Sequence, residues 1–221
     1  MDLMHLADDT EKVNDSDVAF YHFDVVDGEF NKCFILGSPT LEALRKYTDL
    51  PIEAHLAVLK PEDFLAQYVD AGADYIAFHV ETQPVDETLR LCEKVKSLGA
   101  KPIIALRTET RLDDSHASIL REVEWVLKLL VQPGYAGQKL NQQAIDSLRH
   151  LVQTVRKHAP GVGVQADGNV NPATIPEIVA AGADILTGGT SGLFLTPDVA
   201  GNARKMRSKA LEAKKAAATS A

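Results

Sequence analysis

Cysteine is scarce in this chain. Cys33 and Cys92 are its two thiols, far apart and without a C-x-x-C spacing. No disulfide framework is expected from them, and the pattern fits a reducing, cytoplasmic setting with both thiols simply buried. Long apolar runs are missing as well. No segment approaches the roughly 20 apolar residues that a bilayer-spanning helix needs. The opening Met1-Asp2-Leu3-Met4-His5 has no basic region followed by an apolar stretch, so no signal peptide is expected. Positive charge is in deficit, with 23 Lys and Arg against 31 Asp and Glu and a net charge of −8. Nucleic-acid binding would then need a local basic patch, and none stands out. The one basic stretch, Arg204 to Lys215, is Ala-rich and reads either as a solvated helix face fraying into a tail over 204–221 or as a binding arm. No G-x-G-x-x-G follows an early strand, which counts against a doubly wound dinucleotide fold.

What is present is an ordinary 45% of apolar residues in 221, enough for one large domain with a sizeable core. A polar helix from near Leu3 to Asn14 comes first. Seven short apolar strands follow, over Val18–Val25, Pro51–Val58, Asp74–Val80, Pro102–Leu106, Val123–Val131, Gly163–Ala166 and Ile185–Thr187. Between them lie a loop over Asp27–Pro39 and helices over Thr40–Tyr47, from Pro61 to Gly72, and over Val85–Leu98. Further helices cover Asp113–Arg121, Asn141–Lys157, Ile175–Ala181 and Pro197 onwards. Ala71-Gly72-Ala73-Asp74 and Ala181-Gly182-Ala183-Asp184 are matching helix-to-strand turns, each with glycine where a left-handed residue is wanted. Regular alternation of strand and helix predicts a parallel α/β sheet covered by helices. The count is one strand short of a (β/α)8 TIM barrel, so the expectation is such a barrel whose first strand is missing or very short.

Chemistry in a parallel barrel gathers at the carboxyl ends of the strands. His22 and Asp24 lie two apart on the first strand and so share a face. They could be metal ligands or a polar pair on an exposed strand face. His55 closes the next strand, and Asp167 closes the strand over Gly163–Ala166. One His-x-Asp pair plus a His and an Asp from other strands makes an oxygen and nitrogen site suited to a divalent ion. His79 also ends a strand and fits either a partner behind the ligands or a structural histidine. His5, His116, His150 and His158 fall on helices or their flanks and read as surface residues. Glycine concentrates on the last three loops: Gly134-Tyr135-Ala136-Gly137-Gln138, Gly168-Asn169 and Gly188-Gly189-Thr190-Ser191-Gly192. Barrels often bind phosphate on such late loops, where bare N–H groups face the anion.

The motifs His22-Phe23-Asp24-Val25-Val26-Asp27-Gly28, Ala54-His55-Leu56-Ala57-Val58, Gln132-Pro133-Gly134-Tyr135-Ala136-Gly137-Gln138 and Asp167-Gly168-Asn169-Val170-Asn171 resemble, in order and spacing, those of the ribulose-phosphate 3-epimerase family. The resemblance runs from about Leu3 to Phe194. Gly189-Thr190-Ser191-Gly192-Leu193-Phe194 and Met1–Leu6 look more like the allulose-6-phosphate 3-epimerase branch. It implies one divalent metal ion (zinc, iron, manganese, cobalt or magnesium) held by His22, Asp24, His55 and Asp167. Asp24 and Asp167 would trade base and acid roles to invert C3 of a 2-ketose phosphate, with the metal polarising the C2 carbonyl. The substrate phosphate would lie against Gly134, Tyr135, Ala136, Gly137, Gln138, Gly168, Asn169, Gly189, Thr190 and Ser191. The expected partners are this sugar phosphate and further copies of the chain in a homo-oligomer, with no nucleic acid and no membrane.

Three departures from the family qualify the expectation. The chain begins where the family's first helix begins, so a single-domain barrel over 1–221, truncated at its N-terminus and without the Ser-Pro-Ser-like first strand, is implied. The family's methionine roof is replaced by Val26, Ala57 and Leu129. Glu29-Phe30-Asn31-Lys32-Cys33 and Ala105-Leu106-Arg107-Thr108 replace two further family segments, placing Arg107 near the barrel mouth. A barrel that keeps its ligands but has lost turnover, serving as a sugar-phosphate-binding or assembly protein, is the alternative. Another phosphate-binding barrel using Asp and Lys is weaker, since no Lys stands at the strand ends with Asp24 and His55.

Overall fold

The computed structural model describes residues 1–132 and 138–219. Helix α1 (Leu6–Asn14) leads into β1 (Tyr21–Asp27), the short β2 (Phe34–Ile35), α2 (Ser38–Arg45) and β3 (Ile52–Ala57). Then come α3 (Leu65–Asp70), β4 (Tyr75–His79), α4 (Val85–Ser97), β5 (Lys101–Leu106), α5 (Ala117–Leu120) and β6 (Trp125–Leu129). The chain continues through α6 (Gln142–His158), β7 (Gly163–Asp167), α7 (Ile175–Ala180), β8 (Ile185–Thr187) and α8 (Val199–Thr219). One eight-stranded sheet results, in the order β2-β1-β3-β4-β5-β6-β7-β8. Every pairing is parallel except that of β2, which runs antiparallel to the end of β1 through Val26↔Ile35 and Asp27↔Phe34.

The sheet is curled. β3 and β7 are four steps apart in the strand order, about 19 Å across a flat sheet. Yet Gln165 on β7 donates to Glu53 on β3 at 2.8 Å. Phe20, just ahead of β1, packs on Trp125 of β6 with ring centroids 5.4 Å apart. Such contacts require the inward faces to meet, as in a TIM barrel. Alternation along the strands then sorts the side chains. Tyr21, Phe23, Val25, Ala54 and Leu56 point out into the large core shared with the helices. Ala77, Ile103, Ala105, Trp125 and Leu127 fill the barrel, and Phe20, Tyr75 and Ile185 pack against them. Among the described residues β8 has no second strand neighbour, and β1 has only the two residues of β2 on the side away from β3.

Two equivalent clamps fix the amino ends of the strands. Arg45 donates to Leu50 O at 2.8 Å and pairs with Asp74 at 3.2 Å, while Asp74 Oδ2 accepts the Ile52 N–H at 2.9 Å. Arg156 donates to Val162 O at 2.7 Å and to Asp184 at 2.5 Å, while Asp184 Oδ2 accepts the Val164 N–H at 2.9 Å. These aspartates end the repeated Ala-Gly-Ala-Asp turns. Gly72 and Gly182 in them stand at φ 107° and 103°, as a left-handed helix stop requires.

All seven predicted strands are present, within a few residues of their predicted ends. The loop expected over Asp27–Pro39 contains β2, and α2 starts earlier than predicted, at Ser38. The helix expected from Pro61 to Gly72 is a 3-10 turn, Pro61–Asp63, followed by the six-residue α3. The helix expected over Asp113–Arg121 divides in the same way, because Asp113 caps a 3-10 turn through the Ser115 N–H. Cys92 is buried as expected, whereas Cys33 is partly exposed. No described helix is long and apolar enough to cross a membrane.

Candidate active site

The inward positions of three strands carry polar pairs with the same i, i+2 spacing: His22 and Asp24 on β1, Glu53 and His55 on β3, Gln165 and Asp167 on β7. Parallel register sets His22 beside Glu53 and Asp24 beside His55. The sheet's curl then brings Asp167 to the same place. One ligand atom each from His22, Asp24, His55 and Asp167 lies within 4.8 Å of all the others. Asp24 Oδ1 is 2.9 Å from His55 Nδ1 and 3.2 Å from His22 Nε2, and Asp167 Oδ2 is 3.8 Å from His22 Nε2.

Two carboxylates this close repel unless a positive charge joins them. Burial would hold the His22 imidazole neutral, but Glu53 and Asp24 outweigh it and raise its pKa well above the ordinary value. Burial opposes the Asp24 charge too, yet His22 and His55 hold that carboxyl well below the usual range. Asp167 moves the other way, raised chiefly by burial and further by the Asp24 charge despite His22. The cluster's two imidazoles and two carboxylates form a donor set that fits a single divalent cation.

Above the cluster opens a cavity of about 440 Å³, within the usual range for small-molecule sites. Val26, Ala57 and Leu129 line it, so the three expected roof positions do border the site. Ile35 joins them from β2, the element that the sequence did not disclose. Gln138, Gly168, Asn169, Gly189, Thr190 and Ser191 also face the cavity. Gly168 stands at φ 106°, and a Cβ there would lie 2.5 Å from a Val131 methyl, so the loop admits no side chain. Gln138 donates to Gln132 O at 2.6 Å. Gly134, Tyr135, Ala136 and Gly137 lie outside the described residues.

Arg107 does reach the mouth, but it is committed to the loop after β1. Its guanidinium lies 4.0 Å over the Phe30 ring and donates to Phe30 O at 3.0 Å. His79 is fully buried beside His55, their Nε2 atoms 3.0 Å apart, and its Nδ1 lies 3.0 Å from Glu81 Oε2. His116, His150 and His158 are half-buried on their helices rather than freely exposed. Sequence reasoning missed Glu53, Gln165 and Glu81. The spacing that picked out His22 with Asp24 also holds for Glu53 with His55 and Gln165 with Asp167, so the signal was available.

The barrel has close structural relatives. KGPDC from Streptococcus mutans superposes with a TM-score of 0.68 at 14% identity, covering 95% of this chain and 93% of that one. Orotidine 5'-phosphate decarboxylase from Pyrococcus horikoshii gives 0.64 at 15%, covering 93% and 92%. At such identities the likeness concerns the fold. Sequence relatives go further. Ribulose-phosphate 3-epimerase of Methanocaldococcus jannaschii is 35% identical over 212 residues, covering 96% of this chain and 88% of the relative. That of Aquifex aeolicus is 35% identical over 193 residues, covering 87% and 85%. Residues 1–194 match the profile of the Ribulose-phosphate 3 epimerase family as a whole. With family profile, relatives and barrel in agreement, this chain belongs to the ribulose-phosphate 3-epimerase family, whose members are isomerases acting on carbohydrates.

Proposed function

We propose that the protein inverts C3 of a 2-ketose phosphate, with D-ribulose 5-phosphate and D-xylulose 5-phosphate as the leading pair. One observation carries the reading. Asp24 and Asp167, from separate strands, bring carboxylate oxygens within 4.8 Å of each other and of two imidazoles, below a cavity of sugar size. Inverting a carbon acid needs a base on one face and an acid on the other. Asp24, held ionised by its two histidines, takes the C3 proton, while Asp167, whose burial favours its protonated form, returns one to the opposite face. In the reverse direction the two exchange roles.

His22, Asp24, His55 and Asp167 would hold the divalent ion. When bound, it supplies fixed positive charge beside the C2 oxygen, where negative charge develops. Gly168-Asn169 and Gly189-Thr190-Ser191 of the late loops, with Gln138, would hold the phosphate, in part through backbone N–H groups. Phosphate binding places C3 between the aspartates, so that binding energy is used for orientation. Val26, Ala57, Leu129 and Ile35 keep water from the intermediate. A six-carbon pair, D-allulose 6-phosphate and D-fructose 6-phosphate, is the second reading, favoured by the Gly189–Phe194 segment, whereas the named relatives favour the pentose.

The test is turnover of both ketose phosphates in D₂O, followed by NMR at C3, on protein assayed for bound metal. Deuterium entering C3 together with inversion is the expected result. Inertness towards both substrates with metal bound would leave a sugar-phosphate-binding barrel instead.

A further inference from the structure

The two histidine candidates are held from behind, and the chemistry of the end groups fixes the direction of each hydrogen bond. Trp125 Nε1 can only donate. It lies 2.5 Å from Gln165 Oε1, so that oxygen accepts and the amide nitrogen faces the other way. Gln165 Nε2 donates to Glu53 Oε2 at 2.8 Å and to Thr187 Oγ1 at 2.9 Å. The same Glu53 oxygen lies 3.1 Å from His22 Nδ1 and, as a carboxylate, accepts there too. His22 thus carries hydrogen on Nδ1, and Nε2 is the atom it turns towards Asp24 and Asp167.

A second chain ends on His55. Glu81 Oε1 accepts the Arg107 N–H at 2.7 Å, and Oε2 lies 3.0 Å from His79 Nδ1. A carboxylate accepts, so His79 Nδ1 carries the hydrogen and its Nε2 keeps a lone pair. That lone pair meets His55 Nε2, and one hydrogen fits between the two nitrogens, supplied by His55. What remains on His55 is the Nδ1 lone pair, directed at Asp24.

We propose that Glu53 and Glu81 are positioning residues that present opposite ring nitrogens, Nε2 of His22 and Nδ1 of His55, to one divalent cation. The inference rests on the metal reading above. A separate fact supports it: Glu53 is fully buried, and its second oxygen, Oε1, has no hydrogen-bond partner among the described residues. A buried, half-satisfied carboxylate weakens a barrel core, where an apolar side chain would pack better. Its presence is explained by what it does for His22. Carboxylates behind metal-bound histidines fix the ring and raise its basicity in the same manner.

The test is ¹⁵N-histidine NMR of the full chain loaded with ¹¹³Cd. One-bond coupling is expected to Nε2 of His22 and Nδ1 of His55, with N–H protons on the other nitrogen of each ring. Coupling through the opposite nitrogen of either ring would overturn the proposal. In parallel, zinc affinity is measured for Glu53→Gln and Glu81→Gln, and a loss of about 10- to 100-fold is expected in each. Wild-type affinity in both variants would also overturn it. A wild-type chain that binds neither cadmium nor zinc would remove the metal reading and this inference together. Metal bound through the wrong nitrogens would remove the inference alone.

Discussion

Asp24 and His55 are register partners on β1 and β3, and their side chains meet at 2.9 Å. A carboxylate oxygen and an imidazole lone pair facing each other need a cation or a proton between them. His55→Ala should therefore lower metal content and activity together. Elemental analysis of the purified variant checks this, and full metal occupancy would show the coordination to be wrong.

Asp24 and Asp167 should each be indispensable for net inversion. Either Asp→Asn change is expected to slow epimerisation by about 10²–10⁴-fold or more. Asp167→Asn should still exchange the C3 proton with solvent on the face served by Asp24. Deuterium exchange followed by NMR distinguishes the two, and loss of exchange along with inversion would contradict separate roles.

Phosphorylated ketoses should be strongly preferred over the free sugars. The phosphate reading relies on donors of the loops bordering the cavity, and those donors matter only if an anion is present. Equal kcat/KM for the phosphorylated and free forms would remove phosphate from the account.

Lys128 gives a pH signature of its own. It is fully buried and points away from the barrel interior, donating to Arg107 O at 2.6 Å and Thr110 O at 2.7 Å. Burial lowers its pKa from 10.5 to about 8. Between those values the unfolded chain binds a proton that the folded one does not, so the Lys128 contribution to stability rises with pH across that window. Over the whole window the gain is about 3 kcal/mol by linkage. Cys92, raised from 9.0 to about 12 by burial, acts in the opposite sense, so the wild type must be compared with Lys128→Met. Urea unfolding at several pH values should show the wild type gaining stability relative to Lys128→Met as pH rises through that window. A constant difference would mean that Lys128 titrates normally.

Much of the barrel was legible because parallel strands covered on both faces read as short apolar runs between glycine stops. The cluster was legible because His22 with Asp24, then His55 and Asp167, sit at strand ends on inward positions. β2 escaped because two residues carry no periodicity, and Phe34 is 85% exposed there. The Gln165–Glu53 bond joins residues 112 apart in sequence, and only closure of the sheet brings them together. His79 could not be assigned from sequence because its meaning depends on facing His55, which is a matter of register between β3 and β4 and not of spacing along one strand.

The Arg45–Asp74 and Arg156–Asp184 clamps tie β3 and β7 at their amino ends, the far end of the barrel from the cavity. A slip of one residue in either strand would turn His55 or Asp167 out towards the helices. The clamps act as indexing stops, making the strand's phase independent of whatever the mouth loops do. Loops around the cavity can thus change length and composition while the ligand atoms stay aligned, because that alignment is set at the opposite end of the strands.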